Sequence, residues 1–286
     1  MKILVTGASG QLGSTLNALK GQFPTIEWVF KSSSQLNVTQ PQSVTAAWEN
    51  DSFDYCINCA AYTNVDGAEV EREKAYDISV SGAKNLAMAC AKNNTVLIHI
   101  STDFVFDGFI NTPYKEDDIA RPIGFYGDTK FKGEQAVIKH WDKHFIIRTS
   151  WLYSGYGNNF MKTMLRLGQT KEEISVVYDQ VGSPTHAHDL ADFILQIVQQ
   201  NSEAYGTYHY SNEGISSWYD FAKAIFELES ASIIVHPITS EFYPTPAERP
   251  KYSVLDKSKT KNTFGIDIPH WTDSLKKELS EKTFAN

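Results

Sequence analysis

Residues 3–13 read ILVTGASGQLG. Ile3, Leu4, Val5 and Thr6 have the apolar, β-branched character of a strand, and Gly7, Gly10 and Gly13 follow without a gap. Glycine permits a tight turn and close backbone approach. A helix starting within this turn presents free amides and the positive end of its dipole, which together attract a pyrophosphate. The Gly-x-x-Gly-x-x-Gly spacing differs from the Gly-x-Gly-x-x-Gly fingerprint. Its position, after an N-terminal strand and at the start of a helix, is what marks a dinucleotide site.

Working outward, EWVF, DYCINCA, TVLIHIS and HFIIRTS are four further β-rich runs bounded by polar turns. Between them lie segments with helical spacing. The clearest has Ala75, Ile78, Gly82, Leu86, Ala89 and Cys90 on one apolar stripe. Strand and helix alternating in this way predict an α/β fold, a doubly wound Rossmann-type parallel sheet with helices on both faces. After Ser150 the rhythm loosens. DLADFILQIVQQ and GTYHYS can complete the sheet, whereas SWYDFAKAIFEL and SIIVHPI suggest a smaller C-terminal substrate domain. The expected division assigns 1–150 and roughly 174–212 to the dinucleotide-binding unit, and roughly 151–173 and 213–286 to the smaller one. The three prolines of YPTPAERPKYSVLD predict an extended loop, and the last dozen residues a solvated, fraying helix.

The chain has 286 residues, 42% of them hydrophobic, enough for a sizeable core. Its formal charge of −8 argues against nucleic acid or an anionic membrane as the main partner, since both need a basic footprint. No window approaches a membrane span and the start is too short for a secretory apolar region, so a soluble, cytoplasmic protein is expected. Cys56 and Cys59 in CINC have the spacing of a zinc half-site, but no second pair exists and the two thiols of a strand would diverge. They read as buried small side chains. His186 and His188 in HAH have no carboxylate or cysteine neighbourhood at ligand spacing, so no metal is assigned to them.

At the end of the second run the acidic residue that would read a ribose 2′-hydroxyl is absent. Lys31, Ser32 and Ser33 stand there instead, which favours the 2′-phosphate of NADPH, with NADH left open. The fourth run ends at Thr102, and folds of this class bind ligands at the carboxyl ends of their strands. In YGDTK, a helix beginning near Tyr126 puts Lys130 one turn on and on the same face. That arrangement predicts a phenol pKa below its usual value of about 10, and a general acid nearer working pH. A threonine hydroxyl beside it can hold a carbonyl oxygen as negative charge develops.

These residues carry a resemblance. The glycine turn, Thr102 and the Tyr126/Lys130 pair resemble the extended short-chain dehydrogenase/reductase superfamily. GQLG, NCAAYTNVDGAE, STDFVFDG, PYKEDDIARPIGFYGDTKFKGE, IIRTSWLYS, NNF, DQVGSPT and RPKYSVLD resemble, in order and spacing, the dTDP-4-dehydrorhamnose reductase family over nearly the whole chain. The resemblance implies reduction of the 4-keto group of dTDP-4-dehydro-6-deoxy-L-mannose to dTDP-L-rhamnose. It implies that Tyr126 gives the proton, that Lys130 binds the nicotinamide ribose and tunes Tyr126, and that Thr102 holds the reacting oxygen. Gly10, Gln11, Leu12 and Gly13 would face the pyrophosphate, Asn37 and Val38 the adenine, and Ala61, Tyr62 and Thr63 the inner part of the cofactor. Asp103 and Trp151 would contact the sugar, and the planar fork of Arg249 the diphosphate. Mg2+ accompanies some members, but its carboxylates are not identified in this chain. A homodimer is compatible with the sequence and not read from it.

The chain departs from the family pattern at Asn37, where aspartate is common, at Gly67 for lysine and at Ser79 for asparagine. A dehydratase or epimerase of the same superfamily is a rival, but TDFVF lacks the second acid of dehydratases. A reductase of another nucleotide-linked 4-keto-deoxysugar is a second. A non-catalytic NADP-binding subunit, resembling the regulatory subunit of methionine adenosyltransferase, is a third, and the complete Thr102, Tyr126 and Lys130 set argues against it.

Overall fold

Strand β1 (Lys2–Thr6) is buried from Ile3 onward, and alternation sends its side chains to two different cores. The computed structural model describes residues 1–49 and 51–281. In chain order, β1 is followed by α1 (Gln11–Leu19), β2 (Glu27–Lys31), α2 (Pro41–Glu49), β3 (Tyr55–Asn58), α3 (Val65–Val70), α4 (Arg72–Tyr76), α5 (Gly82–Lys92), β4 (Val96–Thr102), α6 (Phe125–His140) and β5 (His144–Thr149). The second half adds β6 (Leu152–Tyr153), α7 (Phe160–Thr170), β7 (Glu173–Val177), β8 (Val181–Gly182), β9 (Thr185–His186), α8 (Ala187–Gln199) and β10 (Gly206–His209). The chain continues through β11 (Ser216–Ser217), α9 (Trp218–Leu228), β12 (Ile234–Ile238), α10 (Ser258–Phe264) and α11 (Trp271–Glu281).

The main sheet has the order β10-β5-β4-β3-β1-β2, and every neighbouring pair is parallel. All five runs expected from the sequence are in it, completed by the GTYHYS strand. On one face Ile3, Val5, Ile57 and Ile98 pack with Leu12 and Leu16 of α1 and Leu190 and Ile194 of α8. On the other, Leu4, Cys56, Leu97 and Ile146 pack with Val44 of α2 and Leu86 and Cys90 of α5. Each face is closed by helices, as a parallel sheet requires. The order reverses at β1, whose neighbours are β2 and β3, so the crevice for a ligand lies beyond the carboxyl ends of β1 and β3.

A third core gathers Tyr153, Met161 and Met164, Phe221 and Ile225 of α9, Val235 of β12, and Trp271, Leu275 and Leu279 of α11. Strand β7 lies in the range expected for the dinucleotide-binding unit, yet its ladder partner is β12. Helix α10 lies in the range expected for the smaller unit, yet Phe264 packs in the core of the main sheet.

One expectation is refined and one is corrected. The stripe from Ala75 to Cys90 runs along unbroken right-handed helical backbone, in which a π-turn over Asp77–Ser81 joins α4 to α5 and turns Ser79 and Val80 inward. There the lack of a Cβ on Gly133 lets α6 come against the Ser79 carbonyl. Helix α11 is not solvated on all sides, because Trp271, Leu275 and Leu279 recur every fourth residue and bury one face. The expectation for the segment beyond Glu281 lies outside the described residues.

Candidate active site

Gly7 follows β1 with φ of +64°, and a Cβ on it would lie 2.5 Å from the amide of Ala60 in the loop after β3. A Cβ on Gly13 would lie 2.5 Å from the Gly7 carbonyl. Both positions exclude any side chain. Gly10 is the N-cap of α1, with no side-chain cap and no acidic residue in the first turn. The amides of Gln11, Leu12 and Gly13 therefore open the helix as an uncompensated anion site, the form a pyrophosphate requires.

At the end of β2, Lys31 gives its carbonyl to the Ala8 amide, which ties this strand end to the glycine turn. Ser32 and Ser34 hydroxyls lie 2.9 Å apart, and Gln35 Oε1 accepts from the Ser32 amide and hydroxyl. The group is a cation with hydroxyls and an amide, without a carboxylate. Asn37 and Thr39 line a cavity of about 590 Å³ with Asp77 and Ile78, and Val38 packs in the adjoining core. Ala61, Tyr62 and Thr63 follow β3; the Tyr62 phenol is engaged by Glu71 at 2.6 Å. The donor set and the bare glycine turn fit a nicotinamide dinucleotide.

Thr102 ends β4, buried, with its hydroxyl donating to Asp103 Oδ1 at 3.0 Å and accepting from the Phe104 amide at 3.2 Å. Helix α6 begins at Phe125, so Tyr126 stands in its first turn and Lys130 one turn on. The Tyr126 ring meets Phe104 edge to face at 5.6 Å. This closeness depends on Gly127, where a Cβ would fall 2.2 Å from the Phe104 carbonyl. The structure thus brings Tyr126, Thr102 and Lys130 to one end of β4.

The expected tuning of Tyr126 is corrected. Burial pushes its phenol up to about 12; the Thr102 hydroxyl pulls the other way and the Asp103 carboxylate adds to the rise. Lys130 Nζ donates to the Ile100 carbonyl at 2.6 Å, and burial lowers this ammonium to about 8 despite the opposing field of Glu134. Burial is the leading cause of both shifts. The phenol holds its proton firmly, and the lysine is the group that titrates near working pH.

Asp103 is buried with Oδ2 unpartnered, and burial raises its carboxyl to about 6 against the hydrogen bonds of Ser253 and Thr102. Trp151 follows β5 with φ of +47°, its indole stacked on Trp218. Arg249, expected to meet the diphosphate, is engaged within the protein in this structure. Its Nη1 and Nη2 fork the Asp66 carboxylate at 3.1 and 2.7 Å, and Nη1 also reaches Thr245 and the Ala247 carbonyl.

The HAH reading is corrected as well: His186 and His188 do have carboxylates beside them, Asp189 three residues after His186 and Asp192 four after His188, and the fold adds Glu278. His186 bonds Glu278 at 2.7 Å and lies 3.4 Å from Asp189. Among the described residues one group of three, His188, Asp189 and Asp192, has ligand atoms within 4.8 Å of one another; Asp189 is already held by Asn212 and Ser274. Cys56 and Cys59 do diverge, toward opposite cores. The Cys59 thiol is pushed up by burial.

The family model described as RmlD substrate binding domain matches residues 1–284. A dTDP-4-dehydrorhamnose reductase of Aggregatibacter actinomycetemcomitans is 41% identical, covering 96% of this chain and 97% of that protein. The chain belongs to the dTDP-4-dehydrorhamnose reductase family. Among solved structures, the reductase of Clostridium acetobutylicum superposes with a TM-score of 0.94 at 42% identity, covering 98% of this chain and 99% of the other. The reductase of Bacillus anthracis, in complex with NADP, gives 0.95 at 40% identity with the same coverage.

Several residues around this reductase-family site escape sequence reading. Asn58 accepts from the Thr6 hydroxyl and the Ala60 amide and donates to His99 Nδ1, bracing the loop beside Gly7. Glu69 of α3 accepts from the Phe125 amide at 2.6 Å and so caps α6 from another helix, next to Tyr126. Glu134, fully buried, takes the Arg148 fork and the Ser101 hydroxyl beneath Lys130. Glu134 and Lys130 are four apart in one helix and could have been paired; the links of Asn58 to Thr6 and His99 and of Glu69 to Phe125 span 52, 41 and 56 residues and leave no local signal. Among the described residues, no helix is long and apolar enough to cross a membrane.

Proposed function

We propose that this protein is the reductase of dTDP-4-dehydro-6-deoxy-L-mannose, with NADPH as reductant and dTDP-L-rhamnose as product. The observation that carries the reading is the convergence of Tyr126, Thr102 and Lys130 at the carboxyl end of β4, beside a glycine turn with an uncapped helix start. NADPH, when bound, supplies the hydride.

The chain's own residues do the rest. The amides of Gln11 to Gly13 hold the pyrophosphate, with Gly7 and Gly10 keeping side chains out of its way. Lys31 and Ser32 take the 2′-phosphate, Asn37 and Val38 border the adenine, and Ala61, Tyr62 and Thr63 line the inner cofactor. The Thr102 hydroxyl holds the 4-keto oxygen, and Tyr126, protonated with a pKa of about 12, gives its proton as charge develops there. A donor that keeps its proton in the ground state matches an alkoxide, which is a strong base. Lys130 leaves the Ile100 carbonyl for the nicotinamide ribose, and its charge then favours the phenolate left by proton transfer. Asp103 and Trp151 meet the sugar; Arg249 exchanges Asp66 for the diphosphate. The main sheet forms the dinucleotide unit, and the third core carries the nucleotide-sugar side. The reading includes a cytoplasmic protein, compatible with a homodimer, with no step assigned to Mg2+.

The test is incubation with enzymatically made dTDP-4-keto-6-deoxysugars and NADPH or NADH, with product stereochemistry read by NMR. dTDP-L-rhamnose formed at NADPH expense is expected. A different epimer would reassign the sugar, and no oxidation of cofactor with any such sugar would leave a binding protein.

A further inference from the structure

Trp151 is a bulky residue held in the left-handed region, with φ of +47°. This backbone state is disfavoured for residues with a Cβ and persists only where surroundings impose it. Two groups impose it here. The indole of Trp218 stacks on that of Trp151 with centroids 3.5 Å apart and planes 8° from parallel. A Cβ on Gly182 would lie 2.8 to 3.0 Å from Cε2, Cζ2 and Nε1 of Trp151, so the main chain of Gly182 lies close to the ring as well. Trp151 is thus held by two groups, the face of Trp218 and the main chain of Gly182 close to the Nε1 side of its ring.

The clamp is itself anchored. Trp218 opens α9 behind a capping box in which Ser217 and Asp220 bond each other reciprocally. Strand β11 pairs Ser216 with Gly182 and Ser217 with Val181, so Gly182 lies in a two-stranded ladder that Trp218 directly follows. Phe160 packs on Trp218 from α7 at 4.7 Å. Ser150 and Trp151 are tied to the same region, through the Ser183 carbonyl at 2.6 Å and the Thr185 amide at 3.2 Å. A stack this close, between residues 67 apart in sequence, fixes an indole at the carboxyl end of β5 more tightly than core filling requires.

We propose that Trp218 is a positioning residue for the sugar: with Gly182 it holds Trp151 in its strained conformation, so that the indole meets the hexose in one orientation. The proposal rests on the reading of this site as a nucleotide-sugar reductase. It makes Trp218 specific for the sugar part of the ligand, without a share in binding the nucleotide or the cofactor.

The experiment titrates the full-length protein, saturated with NADP+, with dTDP-L-rhamnose and separately with dTDP. Wild type is compared with Trp218→Phe, Trp218→Leu and Gly182→Ala, each checked by melting temperature. Trp218→Leu and Gly182→Ala are expected to weaken dTDP-L-rhamnose about tenfold while leaving dTDP and NADP+ unchanged, the size expected when a contact shifts by a fraction of an ångström. Trp218→Phe, which keeps a stacking face, should restore most of the loss. Unchanged sugar affinity in folded Trp218→Leu overturns the positioning role, and so does an equal loss for dTDP and dTDP-L-rhamnose. Should wild type bind neither ligand, the nucleotide-sugar reading falls first and the proposal with it.

Discussion

Lys130 lies one turn beyond Tyr126 on α6, yet its ammonium is bonded to the Ile100 carbonyl and not to the phenol. Burial then separates the two groups, lifting Tyr126 to about 12 and lowering Lys130 to about 8. Between those values the phenol is a filled proton store. Tyr126→Phe removes the store and little else, since Phe104 packs against the ring and not the hydroxyl. Turnover should fall by roughly 10² to 10⁴, the usual worth of a general acid. NADPH affinity, read by the quenching of protein fluorescence, should stay as in wild type. Unchanged turnover would remove Tyr126 from the role of proton donor.

The pH dependence follows from the same pair. Below about 8 Lys130 is charged, and as pH rises through that value the free enzyme loses the cation meant for the nicotinamide ribose. Tyr126 remains protonated over this window. The kcat/KM for NADPH should therefore decline on the alkaline side with an apparent pKa of about 8, because this parameter reports the free enzyme. Lys130→Met should show a low and level profile there. A wild-type profile that stays flat until the phenol titrates would contradict this assignment.

How much of this was legible in the sequence depends on distance along the chain. Gly7 to Gly13, the five β-rich runs and the Tyr126 to Lys130 spacing are local patterns, and each has its expected place in the fold. The environment of those groups was not local. The rise of Tyr126 comes from its burial, with the Asp103 charge adding to it, so a rule based on a cation four residues away gave the wrong sign. The Asp66 partner of Arg249 is 183 residues earlier and leaves no local signal. Of the two carboxylates beside His186, Asp189 is local at three residues and was legible, whereas Glu278 is 92 residues later and was not. The π-turn at Asp77–Ser81 escaped for a related reason, since it is the approach of Gly133 that makes room for the Ser79 carbonyl.

Cofactor choice tests the end of β2. Lys31 and Ser32 offer a cation and a hydroxyl where a carboxylate would bind a ribose 2′-hydroxyl and repel a 2′-phosphate. Ser32→Asp should lower the ratio of kcat/KM for NADPH over NADH by about tenfold or more, as one new like-charge contact costs more than 1 kcal/mol at short range. Lys31→Ala should act in the same direction through loss of attraction. Steady-state rates with the two cofactors decide it: an unaltered ratio in both variants would mean that another group reads the 2′ position.

The buried group around His186 gives a stability prediction with a fixed sign. Burial opposes its charge, but Asp189 and Glu278 outweigh this and raise the imidazole from 6.5 to about 9. Tyr153 stacks on the ring, and Asn212 and Ser274 hold Asp189 in turn. A group with a raised folded pKa contributes stability that is fully present below its unfolded value and is lost as pH climbs through the folded one. The contribution, on the order of 3 kcal/mol, should therefore be complete below about pH 6.5 and gone above about pH 9. Asp189, brought down to about 2, behaves oppositely: its share is present above 3.8 and lost only as pH falls through about 2. Urea unfolding followed from neutral to alkaline pH should show falling stability in wild type and a shallower slope in Glu278→Gln. The variant should be the less stable protein near pH 6 and approach wild type beyond pH 9, where His186 is neutral in both. Parallel curves would show that the His186 charge is not what joins α8 to α11.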